Sequence, residues 1–393
     1  MFAYLKDRKF LHASAVMIAT MVGAGIFGIP FAFAKAGFWV GMAWLIGLAT
    51  VLCLFNLMFA ELTLSTQGTH QVSGYANIWL GAWGRRLMTV ANMLGLYGVL
   101  LAYMIVAGGF LHNVLSQFLT VDPQLYSLVF ALMWSLLWVT RLRTIAAVEL
   151  VLIGVYAAIV IVVAAVGLPH MHIGFLSGWT PEFWYLPYGI VLFALTGLSA
   201  VPIQRQLLAG RERLLRPAII SSMVFVVALY ALFALTIVGV SGEVTSPEAL
   251  AGLYGVLGTP VIMLASLLGI LTISSSYVML GTALYEAFHI DYRLRPSMAW
   301  LLGLIPPVLL FISGLRNFID VIGLVGAVAV GTQAVLLLAA YLRARRPVKA
   351  RGPLGFTGMR LRDAELRLRI PTIIVWLLMA FFAAGGIHEL LVR

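Results

Sequence analysis

Charged residues are scarce in this chain of 393 residues. Only 10% of them are Asp, Glu, Lys or Arg, whereas 62% are hydrophobic. A soluble domain is about 25% charged and roughly 45–50% apolar. The composition therefore excludes a soluble protein and indicates an integral membrane protein that crosses the bilayer many times.

Cysteine is almost absent. Because the single cysteine, Cys53, lies within an apolar run, the chain can form neither an intramolecular disulfide framework nor a cysteine-based metal cluster. The sequence also lacks an HExxH motif, a GxSxG motif in a suitable span, paired intramembrane aspartates and a Cys–His pair. These absences argue against an intramembrane enzyme, and we expect no cofactor.

Long apolar runs dominate what is present. A helix needs about 20 mostly apolar residues to cross the hydrocarbon core of a bilayer. Eleven such runs predict an all-α membrane fold. They lie near Ala13–Phe33, Phe38–Leu62, Leu87–Phe118, Leu125–Thr140, Val148–Leu168, Phe183–Val201, Pro217–Val240, Thr259–Ala287, Pro296–Ser313, Phe318–Leu342 and Ile370–Leu391.

The net charge of +11 would suggest nucleic-acid binding, but the positions of the basic residues point to membrane topology instead. All Lys and Arg residues except Lys35, Arg316 and Arg393 precede span 1 or follow an even-numbered span. The positive-inside rule places that side in the cytoplasm. We therefore expect a multi-pass protein of the plasma (inner) membrane, with the N-terminus cytoplasmic, the C-terminus outside and the lipid bilayer, not nucleic acid, as its partner.

Two of the apolar runs contain a similar interruption. GAGIFGIP at Gly23–Pro30 and TGLSAVP at Thr196–Pro202 each combine glycine with a proline, and both residue types break helices. In lipid, freed backbone groups are tolerated only where they line a cavity or are buried in protein. Matching interruptions in two halves of a chain are the best sequence pointer to a transporter binding site. The sequence therefore predicts that helices 1 and 6 are discontinuous.

The positions of the two interruptions predict an internal repeat. Five spans begin with span 1 and five with span 6, and because five is odd the second set crosses the membrane in the opposite sense. We predict one domain over residues 1–393, with repeat 1 at about 10–170, repeat 2 at about 180–342 and an additional helix at about 370–391.

The interruption in span 1 suits an anion. It exposes backbone N–H groups at the N-terminus of the second half-helix, where a carboxylate is stabilised. Gly23, Ala24 and Gly25 are too small to block its approach, and the carbonyls before the break can accept a cation or an ammonium group. The matching break presents Phe193, Ala194, Thr196 and Gly197. A pocket with these two ends suits an α-amino acid, and close helix packing through small residues is the alternative.

Three further features are candidates for ion or substrate contacts. Thr272, Ser275 and Ser276 share one helix face, so their hydroxyls can coordinate an alkali cation or bond back to their own helix. Glu61 is the best candidate for a single proton-accepting carboxylate, unless water at the span end solvates it. Tyr103 can point its hydroxyl at a substrate carboxylate or serve only in packing.

Four stretches resemble one known family. TMVGAGIFGIPFAFAKAGFWVG (Thr20–Gly41) resembles the first-helix signature of the amino acid/auxin permease family. It is most similar to the bacterial aromatic and hydroxy amino acid permeases of the amino acid–polyamine–organocation superfamily. Weaker similarity covers LLAYMIVAGG, then VLFALTGLSAVP with LLAGRERLLRPAII, and SSYVMLGTALYE. The resemblance extends from helix 1 to helix 8.

The resemblance implies a LeuT-type five-plus-five inverted repeat that works by alternating access. It implies that Gly23, Ala24 and Gly25 bind the substrate carboxylate, and that Tyr103 lines the pocket. Phe193, Ala194 and Thr196 would bind the ammonium group and wall the side-chain pocket. The carbonyls of Ala19 and Val22, with Ser275 and Ser276, would occupy the place of the sodium site of sodium-coupled relatives. Gln204–Gln206 departs from the acidic position of eukaryotic relatives, so gating contacts there do not transfer.

These observations predict a secondary-active importer of neutral amino acids, with aromatic ones as candidates, driven by protons or sodium. An exchanger or exporter of amino acids or amines is the alternative within transport. A sensor that binds an amino acid without moving it is the alternative outside transport. We expect no obligate protein partner.

Overall fold

The structure is a computed structural model that describes residues 7–119, 121–139, 145–345, 368 and 370–392. Within these ranges the regular structure is entirely helical. The α-helices are α1 (Arg8–Met21), α2 (Gly25–Ala36), α3 (Phe38–Leu64), α4 (Val72–Leu115), α5 (Pro123–Ser135), α6 (Ile145–Gly167), α7 (Leu186–Ala194), α8 (Ala200–Leu207), α9 (Leu215–Ser241), α10 (Tyr254–Glu286), α11 (Pro296–Ile312), α12 (Phe318–Leu324), α13 (Gly331–Arg345) and α14 (Thr372–Val392). A π-helical segment, Val325–Val330, joins α12 to α13.

The first predicted break is present between α1 and α2. Val22 is extended, with φ −79° and ψ 95°, and its N–H makes the last bond of α1 to the carbonyl of Ile18. The chain turns at Gly23 and Ala24 and becomes helical again at Gly25, and the two helices meet at a bend of 56°. Because an α-helix leaves its last carbonyls and first N–H groups unpaired, both kinds of group converge at this break.

The sequence pattern predicted that a proline closes each break. This prediction is wrong, because both prolines lie inside the helices that follow the breaks. Pro30 lies within α2, and Pro202 is the third residue of α8. A proline in the first turn of a helix costs little, because the N–H that it lacks would be unpaired there anyway. The first break is therefore shorter than predicted, and the glycine-rich stretch alone marks it.

The second predicted break separates α7 from α8. Residues 195–199 leave the helical path after Ala194, and helical geometry resumes at Ala200. The halves of the two broken helices pack crosswise: α1 contacts α8, and α2 contacts α7. The first half of each broken helix thus lies beside the second half of the other, so the two broken helices run antiparallel.

Other helix pairs repeat between the two parts of the chain. In the first part α1 contacts α6, and in the second part α7 contacts the π-helical segment in the same way. The contact between α4 and α5 also corresponds to that between α10 and α11. Likewise α6 packs on α10 as α13 packs on α4, while α4 and α10 contact each other at the centre. Each pairing in the first five predicted spans has a counterpart in the next five.

The apolar helices are long enough for a polytopic membrane protein. By length and composition, seven helical segments of the described chain can cross a membrane, or eight if α1 and α2 form one bent span. Pro123–Val139 and Pro296–Ile312 are apolar but shorter, and α7 and α8 are short halves. Within the described residues, each of the eleven predicted runs overlaps at least one helix, but at most eight segments meet the length and composition needed for a crossing. Most of the predicted basic loop at 343–369 lies outside the described residues.

Candidate functional site

The first break contacts a tyrosine from α4. Gly23, Ala24 and Gly25 are all buried, and the Tyr103 hydroxyl lies against Gly23 so closely that a β-carbon at this position would collide with it. The same hydroxyl faces the backbone amide of Ala24 and the side chain of Ser276 in α10. Four of the residues proposed from the sequence are therefore brought together at one point.

The two breaks also contact each other. A β-carbon on Gly25 would lie 2.8 Å from the α-carbon of Ala194 and 3.0 Å from the ring of Phe193. Glycine is required here because backbone approaches backbone. Gly197 is also closely packed, since a β-carbon there would meet Met21 and Met17 of α1. This small residue therefore lets α1 approach the second break.

One buried residue that joins the two breaks was missed by the sequence reasoning. Tyr230 of α9 is fully buried, and its hydroxyl lies 2.7 Å from the carbonyl oxygen of Met21 and 3.1 Å from that of Ala194. Met21 and Ala194 are the last residues of α1 and α7. Tyr230 therefore links the C-terminal ends of α1 and α7, which are the first halves of the two broken helices. Nothing in the sequence around Tyr230 predicts this contact.

A third buried tyrosine lies beside this group. Tyr156 of α6 lies close enough to Tyr103 and Tyr230 to interact electrostatically with both. Its ring packs edge-on against Phe27, with 6.3 Å between the ring centroids. Its hydroxyl is buried with no hydrogen-bond partner within the described part of the chain. A buried polar group without a partner is costly and calls for an explanation, and a bound polar molecule would supply one.

The hydroxyls of α10 adopt the alternative that the sequence left open. Thr272 donates to the carbonyl of Leu268 at 3.0 Å, and Ser275 donates to that of Thr272 at 3.0 Å. Thr196 likewise donates to Leu192 in α7 at 2.9 Å. These bonds use the hydroxyl protons and leave lone pairs on the hydroxyl oxygens. Ser276 instead joins Tyr103.

Glu61 lies in a separate, buried position near the end of α3. Its carboxylate accepts a hydrogen bond of 2.7 Å from the hydroxyl of Tyr341 in α13, and only 2% of the residue is exposed. The guanidinium of Arg345 lies 5.7 Å from the centre of the Tyr341 ring. The alternative of a solvated carboxylate at the span end is therefore wrong.

The departure at Gln204–Gln206 has its own contacts. Gln204 is buried and donates to the carbonyl of Ala13 in α1 at 2.9 Å. Arg205 donates to the carbonyls of Thr66 at 3.0 Å and Gly68 at 2.8 Å, in the segment between α3 and α4. These two side chains connect α8 with α1 and with the end of α3.

Charged groups add to the connection between α1 and the chain that follows α8. Asp7 pairs with Arg211, and Lys9 donates to the carbonyl of Ala209 at 3.3 Å. Desolvation raises the pKa of the Asp7 carboxyl, but the backbone amide of Lys9 and the charge of Arg211 outweigh it and hold that pKa below its usual value. The pair therefore stays ionised through the neutral range.

The geometry of the two breaks suits a zwitterion. The N-terminus of α2 offers unpaired N–H groups and partial positive charge, which stabilise a carboxylate. The C-termini of α1 and α7 offer carbonyls and partial negative charge, which stabilise an ammonium group. Among the described residues, no group of three or more His, Cys, Asp or Glu side chains could hold a metal ion.

Two known transport proteins are similar to this chain, one in sequence and one in fold. The chain is 24% identical over 360 residues to the tyrosine-specific transport system 1 of Haemophilus influenzae, a match that covers 86% of this chain and 89% of that protein. Its structure superposes on that of Mhp1, a nucleobase-cation-symport-1 family transporter solved in a closed conformation with bromovinylhydantoin bound. That match has a TM-score of 0.64 at 12% identity and covers 98% of this chain and 90% of Mhp1, so the two share a fold.

The family assignment rests on most of the chain. Residues 6–353 match the tryptophan/tyrosine permease family, and this range contains both broken helices, Tyr103, Tyr230 and Glu61. The resemblance to aromatic amino acid permeases is thereby confirmed, and the chain is a multi-pass membrane permease rather than an enzyme. It belongs to the tryptophan/tyrosine permease family.

Proposed function

We propose that this permease is a secondary-active transporter that imports neutral aromatic amino acids, coupled to H⁺ or Na⁺, by alternating access. The names of its family and of its relative from Haemophilus influenzae support aromatic substrates. The observation that carries the proposal is the contact between the two breaks at Gly25 and Ala194. It brings a helix N-terminus and two helix C-termini to one place, as an α-amino acid requires.

Each predicted site residue takes a role in this proposal. Backbone N–H groups at Gly23, Ala24 and Gly25 bind the substrate carboxylate, and Tyr103 fixes that end of the site. Carbonyls near the second break bind the ammonium group, and the Phe193 ring walls the side-chain pocket, because Phe193 is only partly buried against Gly25. Thr196 contributes to the ammonium end of the site, and Gly197 lies beside it in the second break.

The coupling ion has two candidate sites. Sodium would use the carbonyls of Ala19 and Val22 with the hydroxyl oxygens of Ser275 and Ser276, which is a donor set suited to a hard cation. A proton would use Glu61, whose buried carboxylate is the type of group that marks proton relays in membranes. We propose no cofactor besides the coupling ion and no obligate protein partner.

The architecture that we propose has eleven membrane crossings in a LeuT-type five-plus-five inverted repeat. The repeats cover about 10–170 and 180–342, and the helix at about 370–391 is additional. The antiparallel broken helices and the recurring helix pairs support this repeat. The distribution of Lys and Arg supports a cytoplasmic N-terminus and an external C-terminus in the plasma (inner) membrane.

Uptake into proteoliposomes tests the function. A proton gradient and a sodium gradient are imposed in separate experiments. We expect labelled tyrosine or tryptophan to accumulate above its equilibrium level under one of them, and that gradient identifies the coupling ion. Uptake that needs substrate on the opposite side would indicate an exchanger, and export against the gradient an exporter. Binding by folded, inserted protein without any flux would indicate a sensor and would refute transport.

Replacing Tyr103 by phenylalanine tests the carboxylate end. The substitution removes the hydroxyl that faces the Ala24 amide and Ser276. We expect KM for uptake to rise about 3- to 10-fold, as for the loss of one hydrogen bond, while kcat changes less. The control is Tyr97→Phe on the same helix, whose hydroxyl donates to the carbonyl of Leu302 at 2.9 Å. Equal kinetics for Y103F and Y97F would contradict the role of Tyr103.

A further inference from the structure

Tyr230 holds two helix ends together at the centre of the site. Its hydroxyl lies within hydrogen-bond distance of the carbonyl oxygens of Met21 and Ala194, which are 209 and 36 positions away in the chain. A hydroxyl carries one proton, so it can satisfy one of these two carbonyls at a time. Each carbonyl oxygen has two lone pairs, so both can accept from a further donor.

The two carbonyls end helices whose dipoles converge. The last carbonyls of a helix have no partner within it, and together they carry roughly half a negative charge. Two such ends brought to one hydroxyl repel each other unless a donor or a cation lies between them. Tyr230 supplies a neutral donor, and a substrate ammonium group would supply the charge.

The environment fixes the Tyr230 side chain. It is fully buried, and Phe233, three residues further along α9, packs edge-on against Phe27 of α2 at 6.0 Å between ring centroids. Gly25 of α2 in turn contacts Ala194. The helix that carries Tyr230 is therefore held against α2 by rings, which leaves the hydroxyl little freedom to leave the two carbonyls.

We propose that Tyr230 is a positioning residue for ammonium recognition, in that its hydroxyl sets the spacing and direction of the Met21 and Ala194 carbonyls that accept the substrate ammonium group. The inference rests on the proposed function of the two breaks as an amino acid site. It adds a residue from α9, outside both broken helices, to the determinants of specificity. Ligands without an ammonium group should not depend on it.

The test compares Tyr230→Phe with the unmodified protein in proteoliposomes. Inhibition of labelled tyrosine uptake is measured with unlabelled tyrosine, with tyramine, which lacks the carboxylate, and with 3-(4-hydroxyphenyl)propanoate, which lacks the ammonium group. We expect Y230F to weaken inhibition by tyrosine and tyramine about 5- to 10-fold, and to change inhibition by the deaminated acid less than about twofold. The control is Tyr277→Phe, a fully buried tyrosine of α10 whose hydroxyl is 3.5 Å from the carbonyl of Ala131.

The outcomes distinguish a failure of this inference from a failure of the proposed transport function. Equal weakening of all three ligands would show that Tyr230 is merely structural and would overturn the inference, as would no change in any of them. If neither analogue inhibits the unmodified protein, a raised KM for tyrosine with kcat retained supports the inference, and a lowered kcat at constant KM overturns it. Failure of the unmodified protein to bind or take up any aromatic amino acid would instead refute the proposed function.

Discussion

Gly25→Val is expected to abolish uptake while the protein still inserts and folds. A β-carbon at this position lies 2.8 Å from the backbone of Ala194, so valine must push the two breaks apart. A displacement of about 1 Å at a binding site can cost roughly 100-fold in rate, and we expect a loss of at least that size. Initial rates of tyrosine uptake, normalised to the amount of monodisperse protein in the liposomes, measure the effect.

Two other variants serve as controls for the position and for the size of the added side chain. Gly47→Val adds the same side chain to an exposed position of α3, where a β-carbon meets nothing within 4 Å, and it should transport normally. Gly25→Ala adds a single methyl group and should retain a few per cent of the uptake. If well-folded G25V took up tyrosine at the rate of the unmodified protein, the contact between the breaks would not be part of the transport mechanism.

Glu61→Gln is expected to separate coupling from substrate movement. Glutamine keeps an oxygen that accepts the bond from Tyr341 but cannot gain or lose a proton. If protons drive transport through Glu61, accumulation under an imposed pH gradient falls to background. Counterflow of labelled against unlabelled tyrosine should stay within about a factor of three, because it needs no proton transfer.

Glu286→Gln serves as the matched control for Glu61. Glu286 is an exposed carboxylate at the end of α10, so its removal should leave both assays unchanged. Proton-driven accumulation by E61Q equal to that of the unmodified protein would exclude Glu61 as the coupling site. Loss of counterflow together with accumulation would indicate that Glu61 serves structure instead.

The sequence was most informative where a local pattern has a local structural consequence. The glycines at 23 and 25 predicted the first break because they lie within an otherwise apolar run, and the break lies there. The same reasoning misjudged Pro30, since a proline can remain inside a helix when its neighbours accommodate the missing bond. Fewer helices of the described chain are long enough to cross a membrane than the eleven runs predict, because Pro296–Ile312 and the halves α7 and α8 are short.

Long-range contacts were beyond the reach of the pattern. Tyr230 is one aromatic residue in an apolar helix, and its partners at Met21 and Ala194 become visible only when α9 packs against both broken helices. Glu61 attracted attention as a carboxylate, but its partner Tyr341 is 280 positions away. For Thr272 and Ser275, the sequence offered two uses of each hydroxyl, and only the helix geometry shows which bonds form.

The contacts of Gln204 and Arg205 carry a consequence for how this region tolerates mutation. Both side chains bind main-chain oxygens, those of Ala13, Thr66 and Gly68, and Arg205 also donates to the hydroxyl of Tyr75 at 3.3 Å. A carbonyl is present whatever amino acid occupies the position. In a saturation library selected for growth, positions 204 and 205 should therefore accept few substitutions. Positions 13, 66 and 68 should be restricted by the burial of Ala13 and Thr66 and by the positive φ of Gly68, not by these bonds. The side chains that make the three main-chain bonds all belong to α8, so substitutions on the opposing segments do not remove these bonds directly.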